Sequence, residues 1–158
     1  MNVFEAIVQE LNEHKIDFEH FKHSKVHTSQ DAAAIRGNSL SQAAKAIVLK
    51  AKSFDDTSFF IQAVLQGDKK IDIKKLKESL NLKKIKLASP EEVLKVTGCT
   101  IGSVPPFGHL FGLEVLVDKK LFDEETIFFS AGSHFDSIKL SSLDYANVIK
   151  PRMLSFSF

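Results

Sequence analysis

The sequence predicts a mixed α/β (α+β) fold in a single domain spanning residues 1–158. Three observations support this. The chain has 158 residues and 44% hydrophobic composition, which is enough for one sizeable core. Segments of strand and helix periodicity mix along it without strict β-α-β alternation. No internal repeat and no low-complexity linker divides it.

The first half of the chain reads as a helix, a short strand, a second helix and a hairpin. Apolar residues at helical spacing predict the first helix, and Thr28 followed by Asp31 resembles a capping box for the second, which Gly37 and Asn38 end. Period-two alternation predicts the strands. The expected elements are a helix from Val3 to about His14, strands at Ile16–Phe21, Ala44–Lys52 and Ser58–Leu65, and a helix ending at Arg36.

Lys45 stands out within the strongest predicted strand. Alternation places it on the same face as Ile47, Leu49 and Ala51, whereas Lys50 and Lys52 point the other way. An ammonium on an apolar face needs a charge partner, a ligand or a route to solvent. Lys45 lies near the start of the strand, so extension of its side chain to the rim is the alternative to a functional role.

Charge is concentrated in one segment. Residues 69–86 hold eight lysines against one Asp and one Glu, a net charge of +6, whereas the rest of the chain sums to −5. This asymmetry favours a polyanion partner, although a solvated helix face is the alternative. The segment also contains a short helix striped by Ile73, Leu76 and Leu80 and a brief strand at Ile85–Leu87.

The stretch Thr97–Gly112 contains four of the seven glycines and two of the four prolines. Glycines allow positive φ and close approach to the backbone, so the stretch predicts a shaped loop that presents amides. Ser89 as N-cap, Pro90 in the first turn and Glu92 as capping acid open the helix before it. Gly98 suits the left-handed residue after that helix, so part of the stretch has a structural explanation.

The remaining chain reads as short strands and a last helix. Apolar runs predict strands at Leu113–Val117, Ile127–Phe129 and Ile138–Leu140, with acidic turn residues between the first two. Ser141 and Asp144 cap a helix that Pro151 ends. A Leu154-Phe156-Phe158 tail follows.

Several kinds of site are disfavoured by the sequence. His20, His23 and His27 have metal-like spacing, but nearby lysines and the shortage of further ligands argue against zinc. Cys99 follows a helix C-terminus, where the dipole disfavours a thiolate, so a buried inert thiol is expected. Ser130, His134 and Asp136 are triad residue types without a nucleophile-elbow sequence. No Walker or dinucleotide fingerprint is present.

The chain is expected to be cytoplasmic. The N-terminal residues include Glu5, Glu10 and Glu13 rather than an uninterrupted apolar core, and no apolar run approaches a membrane span. The single cysteine excludes an internal disulfide. A glycine-rich loop, a lysine on an apolar strand and a histidine after Ala131-Gly132 remain, and together they could hold an ester carbonyl and a phosphate.

Four motifs in order carry a family resemblance. Gly37-Asn38-Ser39-Leu40-x-x-x-Ala44-Lys45-Ala46-Ile47-Val48-Leu49-Lys50 is followed by Thr97-Gly98-x-x-x-Gly102-x-Val104-Pro105-Pro106-Phe107, then Asp118-x-x-Leu121, then Ala131-Gly132. The chain therefore resembles the YbaK and prolyl-tRNA-synthetase-associated editing domains over nearly its whole length. The resemblance implies a mixed, partly barrel-like β-sheet flanked by helices, and a trans-editing deacylase that hydrolyses mischarged tRNA without metal, cofactor or covalent intermediate.

The expected site residues come from two sources. The resemblance implies the catalytic residues and the pocket loop, whereas the hydroxyl side chains and the lysines are assigned from their own chemistry and charge. The catalytic group is expected to comprise Lys45, Gly102, Gly108 and His134. Substrate-binding residues are expected at Thr28, Ser103, Val104, Pro105, Pro106, Phe107, Gly132 and Ser133. Contacts to tRNA are expected from Lys69, Lys70, Lys74 and Lys75.

The motifs look most like the branch that clears Ser and Thr from tRNA. Branches that remove Cys or Ala from proline tRNA stay open, although Ala46 after the lysine slightly disfavours alanine removal. The expected partner is the acceptor end of mischarged tRNA, with an aminoacyl-tRNA synthetase as a second candidate and neither DNA nor membrane. The rival from another class is a non-catalytic tRNA- or synthetase-binding module on the same fold.

Overall fold

The computed structural model describes residues 1–26 and 28–158, and within them the chain forms five α-helices and eight strands. The helices are α1 Val3–Glu13, α2 Ser29–Arg36, α3 Ile73–Ser79, α4 Pro90–Thr97 and α5 Ser142–Ile149. The strands are β1 Phe18–Lys22, β2 Ala44–Lys52, β3 Ser58–Gln66, β4 Lys84–Leu87, β5 Glu114–Asp118, β6 Thr126–Ser130, β7 Asp136–Ser141 and β8 Arg152–Leu154. None of the helices in this described part is long and apolar enough to cross a membrane.

The larger sheet has five strands in the order β4-β2-β3-β5-β8. Strands β2 and β3 form the expected antiparallel hairpin, with Ala44 opposite Gln66 and Lys52 opposite Ser58. Strand β4 pairs antiparallel with the second half of β2, whereas β5 joins β3 in parallel. The sheet is therefore mixed, and β4 forms one of its edges.

The smaller sheet is antiparallel, with the order β1-β7-β6. A parallel bridge between Ala43 and Phe128 joins it to the larger sheet. The mixed α/β architecture is confirmed. The two sheets do not close into a barrel, because only this bridge connects them in the described residues, and this corrects the partly barrel-like expectation.

Helices cover the sheets and enclose three apolar clusters. Ile7 and Leu11 of α1 pack with Phe129 and Tyr145 in the first cluster. Leu76 of α3 packs beneath the larger sheet in the second. Val93 of α4 packs with Val48 and Cys99 in the third, which confirms the expected burial of the cysteine. The burial of Cys99 also raises the pKa of its thiol, as expected for an inert group.

Capping signals in the sequence gave several correct helix ends. The Ser89 side chain accepts from the Glu92 N–H, Glu92 reaches back to Ser89, and Gly98 adopts φ +72° after α4. Thr28 caps α2 by accepting from the Asp31 N–H. These contacts fix the start of α2, which lines the cavity described below, and both ends of α4, which precedes the glycine-rich loop.

Two differences between the predicted and the observed elements have a structural reason. The first strand begins at Phe18 rather than Ile16, because the Ile16 N–H donates to the Leu11 carbonyl in the turn that follows α1. The tail contains strand β8, which pairs with β5. Beyond it, Phe156 is fully buried, and its N–H and that of Ser157 donate to the buried Asp118 carboxylate.

Candidate active site

Strand β2 presents Lys45 on the face predicted for it, together with Ile47, Leu49 and Ala51 of the second cluster. The Lys45 ammonium donates to the Lys69 carbonyl and lies 3.5 Å from that of Gly67. Burial lowers the pKa of Lys45, the nearby Asp68 opposes this shift, and Lys70 adds to it. The ammonium thus reaches polar groups at the rim of the sheet. The sequence analysis gave this arrangement as the alternative to a functional role.

A narrow cavity of about 70 Å³ lies where α2, the start of β2, the glycine-rich loop and the end of β6 meet. Because a water molecule occupies about 30 Å³ of liquid, this space suits a small chemical group. Four of the expected site residues share it: Thr28, Lys45, Gly102 and Val104. The other lining residues are Ala32, Arg36, Ala43, Ala44, Ala46, Phe129 and Ser130.

The cavity-facing half of the loop is shaped by Gly102, which adopts φ +89°. The next residue, Ser103, is buried and uses its hydroxyl to donate to the Thr100 carbonyl at 2.8 Å. The Gly132 N–H donates to the Ser103 carbonyl at 3.0 Å. The backbone between residues 100 and 104 is therefore held by local and cross-loop hydrogen bonds.

The second half of the loop turns into the protein. Gln62, fully buried, donates from Nε2 to the Pro105 carbonyl and accepts from the Gly108 N–H, both at 2.9 Å. Tyr145 donates to the Pro106 carbonyl at 2.6 Å, and Phe107 is fully buried. The structure thus places these four loop residues, Pro105 to Gly108, in the buried interior and outside the cavity lining, and the Gly108 amide is already engaged.

Residues 132–134, which follow β6, lie beside the glycine-rich loop and support it. Gly132 has φ +93° and lies so close to α1 that a Cβ there would come within 2.9 Å of Val3. The Ser133 hydroxyl donates to Asp136 at 2.7 Å, and His134 Nε2 lies 2.8 Å from the Thr100 hydroxyl. These three expected site residues, 132 to 134, lie outside the cavity lining and contact the loop or its supports.

The carboxylate of Asp136 takes part in a different cluster from the triad considered above. It accepts from Ser133 and lies 2.7 Å from His20 Nε2. Burial alone would raise the pKa of Asp136, but the hydrogen bonds from Ser133 and His20 together lower it. The carboxylate is thus a structural acceptor.

The two described histidines of the motif have separate partners. His20 contacts Asp136, and His23 contacts Ser24 and Ser137, while His27 lies outside the described residues. Within residues 1–26 and 28–158, no group of three or more His, Cys, Asp or Glu side chains is placed to hold a metal ion.

Arg36 is a cavity residue that sequence reasoning missed. It is the last residue of α2, is half-buried, and lines the cavity. Burial lowers the pKa of Arg36 to about 10, which still leaves the guanidinium charged at neutral pH. The available signal was its position after Ala32-Ala33-Ala34-Ile35, where a long cation follows small apolar residues.

A broad basic cleft of about 820 Å³ lies at the other end of β2, between that strand, β4 and α3. Two pairs of lysines face each other directly across the strands: Lys50 with Lys86, and Lys52 with Lys84. Like charges in such positions destabilise a sheet. Seven lysines line the cleft: Lys50, Lys52, Lys74, Lys77, Lys83, Lys84 and Lys86.

The four lysines expected to contact tRNA are divided by the structure. Lys74 lines the basic cleft, whereas Lys75 follows it on α3 and does not. Lys69 and Lys70 lie in the loop next to Lys45, where Lys69 pairs with Asp68 at 3.6 Å. Only part of the lysine-rich segment therefore belongs to one surface.

Comparison with known proteins places this site in context. The sequence model of the aminoacyl-tRNA editing domain matches residues 23–148. The chain is 31% identical over 153 residues to the multifunctional Ser/Thr-tRNA deacylase ProXp-y of Escherichia coli K12, covering 96% of this chain and 91% of that protein. It is 26% identical over 154 residues to the prolyl-tRNA editing protein ProX of Acetoanaerobium sticklandii, covering 95% and 92%.

A solved structure has the same fold. The crystal structure described as a candidate trans-editing enzyme for prolyl-tRNA synthetase superposes with a TM-score of 0.81 at 19% identity, covering 100% of this chain and 98% of that one. The resemblance derived from the four sequence motifs is thereby confirmed. Because the family model spans most of the sequence and ProXp-y matches nearly all of it, the chain belongs to the aminoacyl-tRNA editing domain family.

Proposed function

We propose that this protein is a trans-editing aminoacyl-tRNA deacylase that hydrolyses the ester of mischarged tRNA, with Ser- and Thr-tRNA as its substrates. The observation that carries the proposal is the cavity of about 70 Å³ in which Lys45, Gly102 and Thr28 meet. A space this small admits a short aminoacyl group and excludes large side chains. The name of the E. coli relative, a Ser/Thr-tRNA deacylase, supports the choice of amino acids.

The proposed chemistry needs positioning rather than a nucleophilic side chain. An aminoacyl ester is already activated, so a held water molecule and donors to the carbonyl oxygen are sufficient. The Ser103 N–H is used by the Thr100 carbonyl, which leaves the N–H groups of Gly102 and Val104 as the donors that this loop offers at the cavity. Cys99 has a buried thiol with a raised pKa and does not line the cavity, so it is not assigned a catalytic role.

The hydroxyl of the substrate is assigned to polar groups on the cavity wall. A site that hydrogen-bonds a hydroxyl discriminates against an apolar analogue because its own polar groups would be left unpaired. Thr28 and Ser130 both line the cavity and carry such groups. Ser103 and Ser133 donate elsewhere, to Thr100 and Asp136, so we give them the supporting role of shaping the loop.

The basic cleft and the loop lysines are assigned to the tRNA. Phosphates neutralise closely spaced lysines, so bound RNA would relieve the repulsion between Lys50 and Lys86 and between Lys52 and Lys84. Lys69, Lys70, Lys74 and Lys75 extend positive charge from Lys45 toward the cleft. A synthetase remains a second proposed partner, because a structural neighbour is described as acting for prolyl-tRNA synthetase.

A deacylation panel tests the proposal. Wild-type protein is incubated with Ser-, Thr-, Ala- and Cys-charged tRNAs, and Lys45→Ala serves as the inactive control. The expected result is fast hydrolysis of the Ser and Thr esters. Preferential loss of the Cys or Ala ester from proline tRNA would reassign the specificity. Survival of all four esters would favour a non-catalytic tRNA- or synthetase-binding module.

A further inference from the structure

Arg36 brings a second cation to the cavity wall. It ends α2, and its side chain lines the same space as Lys45 and Gly102. The dipole of a helix favours a cation in the last turn, but a solvent-exposed side chain obtains that gain equally well. The helix end therefore does not explain why this guanidinium lies half-buried against a cavity.

The partners of Arg36 are neutral. Its Nε donates to Asn38 Oδ1 at 2.9 Å, and Nη1 donates to Ser137 Oγ at 3.3 Å. The guanidinium also lies 5.7 Å from the centre of the Phe128 ring. Among the described residues no carboxylate forms an ion pair with it. A guanidinium has five N–H donors, so donors remain for a further acceptor.

The orientation of Arg36 is fixed by a chain of hydrogen bonds. His23 Nδ1 lies 2.8 Å from the Ser24 carbonyl, which can only accept, so Nδ1 carries the proton. In the neutral ring Nε2 is then an acceptor, and it receives the hydroxyl of Ser137 at 2.8 Å. Ser137 in turn accepts from Arg36. A cation held in this way is oriented before the substrate arrives, which is what electrostatic catalysis requires.

Lys45 and Arg36 differ in what their donors already contact. The Lys45 ammonium donates to backbone carbonyls of the loop after β3. Arg36 is the cavity cation whose partners are side-chain oxygens and a ring face. The cavity of about 70 Å³ holds one small acceptor group beside Arg36, with the rest of the ligand outside it. The ester carbonyl oxygen is such a group.

We infer that Arg36 stabilises the negative charge that develops on the ester carbonyl oxygen during deacylation. The inference rests on the proposed deacylase function. As the water oxygen bonds to the carbonyl carbon, the carbonyl electron pair moves to the carbonyl oxygen, which Arg36 and the loop amides stabilise. When the tetrahedral species collapses, the carbon–oxygen bond to the terminal ribose breaks. The ribose oxygen takes the proton that the water releases, yielding free amino acid and tRNA.

The test measures the single-turnover rate of Ser-tRNA hydrolysis at saturating protein for Arg36→Gln. Arg152→Gln is the matched control, since Arg152 is the chain's other arginine and is exposed. Removing one such donor slows catalysis by about 10²–10³-fold, so that loss is expected for Arg36→Gln and none for Arg152→Gln. Affinity for a seryl-tRNA analogue with a non-hydrolysable amide linkage is expected to stay unchanged, because the analogue carries no oxyanion.

Two results would overturn the inference. One is a wild-type rate in Arg36→Gln. The other is a rate that recovers fully with more protein while analogue affinity falls, which would make Arg36 a ground-state binding residue. If wild-type protein hydrolyses no charged tRNA, the deacylase proposal itself fails, and this outcome is separate because it does not depend on the variant.

A folding defect in Arg36→Gln would shift the test to gentler variants. Arg36→Lys keeps the charge but loses the planar fork, and Asn38→Ala removes the bond that orients Nε. Both are expected to hydrolyse Ser-tRNA at rates between those of wild type and the uncatalysed reaction, with unchanged analogue affinity. Wild-type rates in both variants would contradict the role of Arg36.

Discussion

Strand β2 carries lysines at both of its ends, and the two ends hold their charges differently. At the first end, Lys45 is half-buried beside a narrow cavity, and its ammonium donates to backbone carbonyls. At the other end, Lys50 and Lys52 face Lys86 and Lys84 across the sheet in an open cleft. The first end therefore carries one lysine bound to backbone carbonyls. The other end carries several closely spaced lysines, of which Lys50 pairs with Glu92 at 2.9 Å and Lys83 with Asp56 at 2.7 Å.

We propose that the two ends of the strand contact different parts of the same substrate. A fixed donor in a small cavity suits a reacting group whose charge changes, whereas an open row of lysines suits a phosphate backbone. Lys45 and Lys52 are seven residues apart, which corresponds to about 23 Å at about 3.3 Å per residue. An RNA strand whose aminoacylated end enters the cavity can contact both ends of β2. Changes at the two ends should then affect different kinetic constants.

Of the changes at the two ends of β2, Lys45→Ala should produce the larger effect on catalysis. The substitution removes the charge at the cavity and the tether to the loop after β3. The expected loss is about 10²-fold in the single-turnover rate, with tRNA affinity within about threefold of wild type. Lys120→Ala, on an exposed turn, is the control. A loss in affinity alone would move Lys45 from chemistry to binding.

Gln62→Leu should destabilise the loop near the cavity and leave the basic cleft unchanged. The substitution leaves the Pro105 carbonyl and the Gly108 N–H without their buried partner. Each unsatisfied buried group costs about 1–3 kcal/mol, so urea unfolding should show at least about 2 kcal/mol lower stability. Gln9→Leu, on the exposed face of α1, should change little. Full stability of Gln62→Leu would show that the loop does not depend on this residue.

The double reversal Lys84→Glu with Lys86→Glu should weaken tRNA binding while it strengthens the fold. Binding should fall about tenfold, and the salt dependence should become shallower by about 0.7–0.9 per lost phosphate contact. The new pairs with Lys52 and Lys50 replace repulsion, which should stabilise the sheet by about 0.2–1 kcal/mol each. Lys119→Glu with Lys120→Glu provides the same change in charge elsewhere. Equal tRNA affinities in both double variants would make the cleft a solvated face.

Asp136→Asn should give the smallest effect. It changes the contacts of this side chain to Ser133 and His20, beside the loop. The pKa of Asp136 in the folded protein lies below its ordinary value of 3.8, so ionisation stabilises the fold. That contribution is complete above pH 3.8 and is lost as the pH falls through the lower folded value. Melting curves should therefore show wild type more stable than the variant near neutral pH by about 1 kcal/mol or less, with the difference disappearing in acid. A constant difference across this range would exclude the ionised carboxylate as its cause.

Local signals predicted the fold where neighbouring residues decide the structure. Alternation defined Ala44–Lys52 with its observed bounds, and the caps at Ser89 and Gly98 were correct. Strand β8 is three residues long and depends on pairing with β5, so it has no pattern of its own. The Ile16 boundary likewise depends on a hydrogen bond back to α1.

The site was predictable only where a residue stood out against its own element. Lys45 broke the apolar face of a strand, and Gly102 lay in a glycine-rich loop, and the structure brings both to one cavity. Gly108 carried the same loop signal but turns inward, because Gln62 from a distant strand binds it. Arg36 was not predicted, because a cation at the end of a helix is common. Its contacts with Phe128 and Ser137 depend on how the smaller sheet packs against α2, which the local sequence does not show.

The most direct test compares three proteins in one assay: the rate of Ser-tRNA hydrolysis at saturating protein for wild type, Lys45→Ala and the Lys84→Glu, Lys86→Glu variant. The account predicts rapid hydrolysis by wild type, about 10²-fold slower hydrolysis by Lys45→Ala, and a wild-type rate for the double reversal once binding is saturated. An equal loss in both variants, or no hydrolysis by wild type, would contradict it.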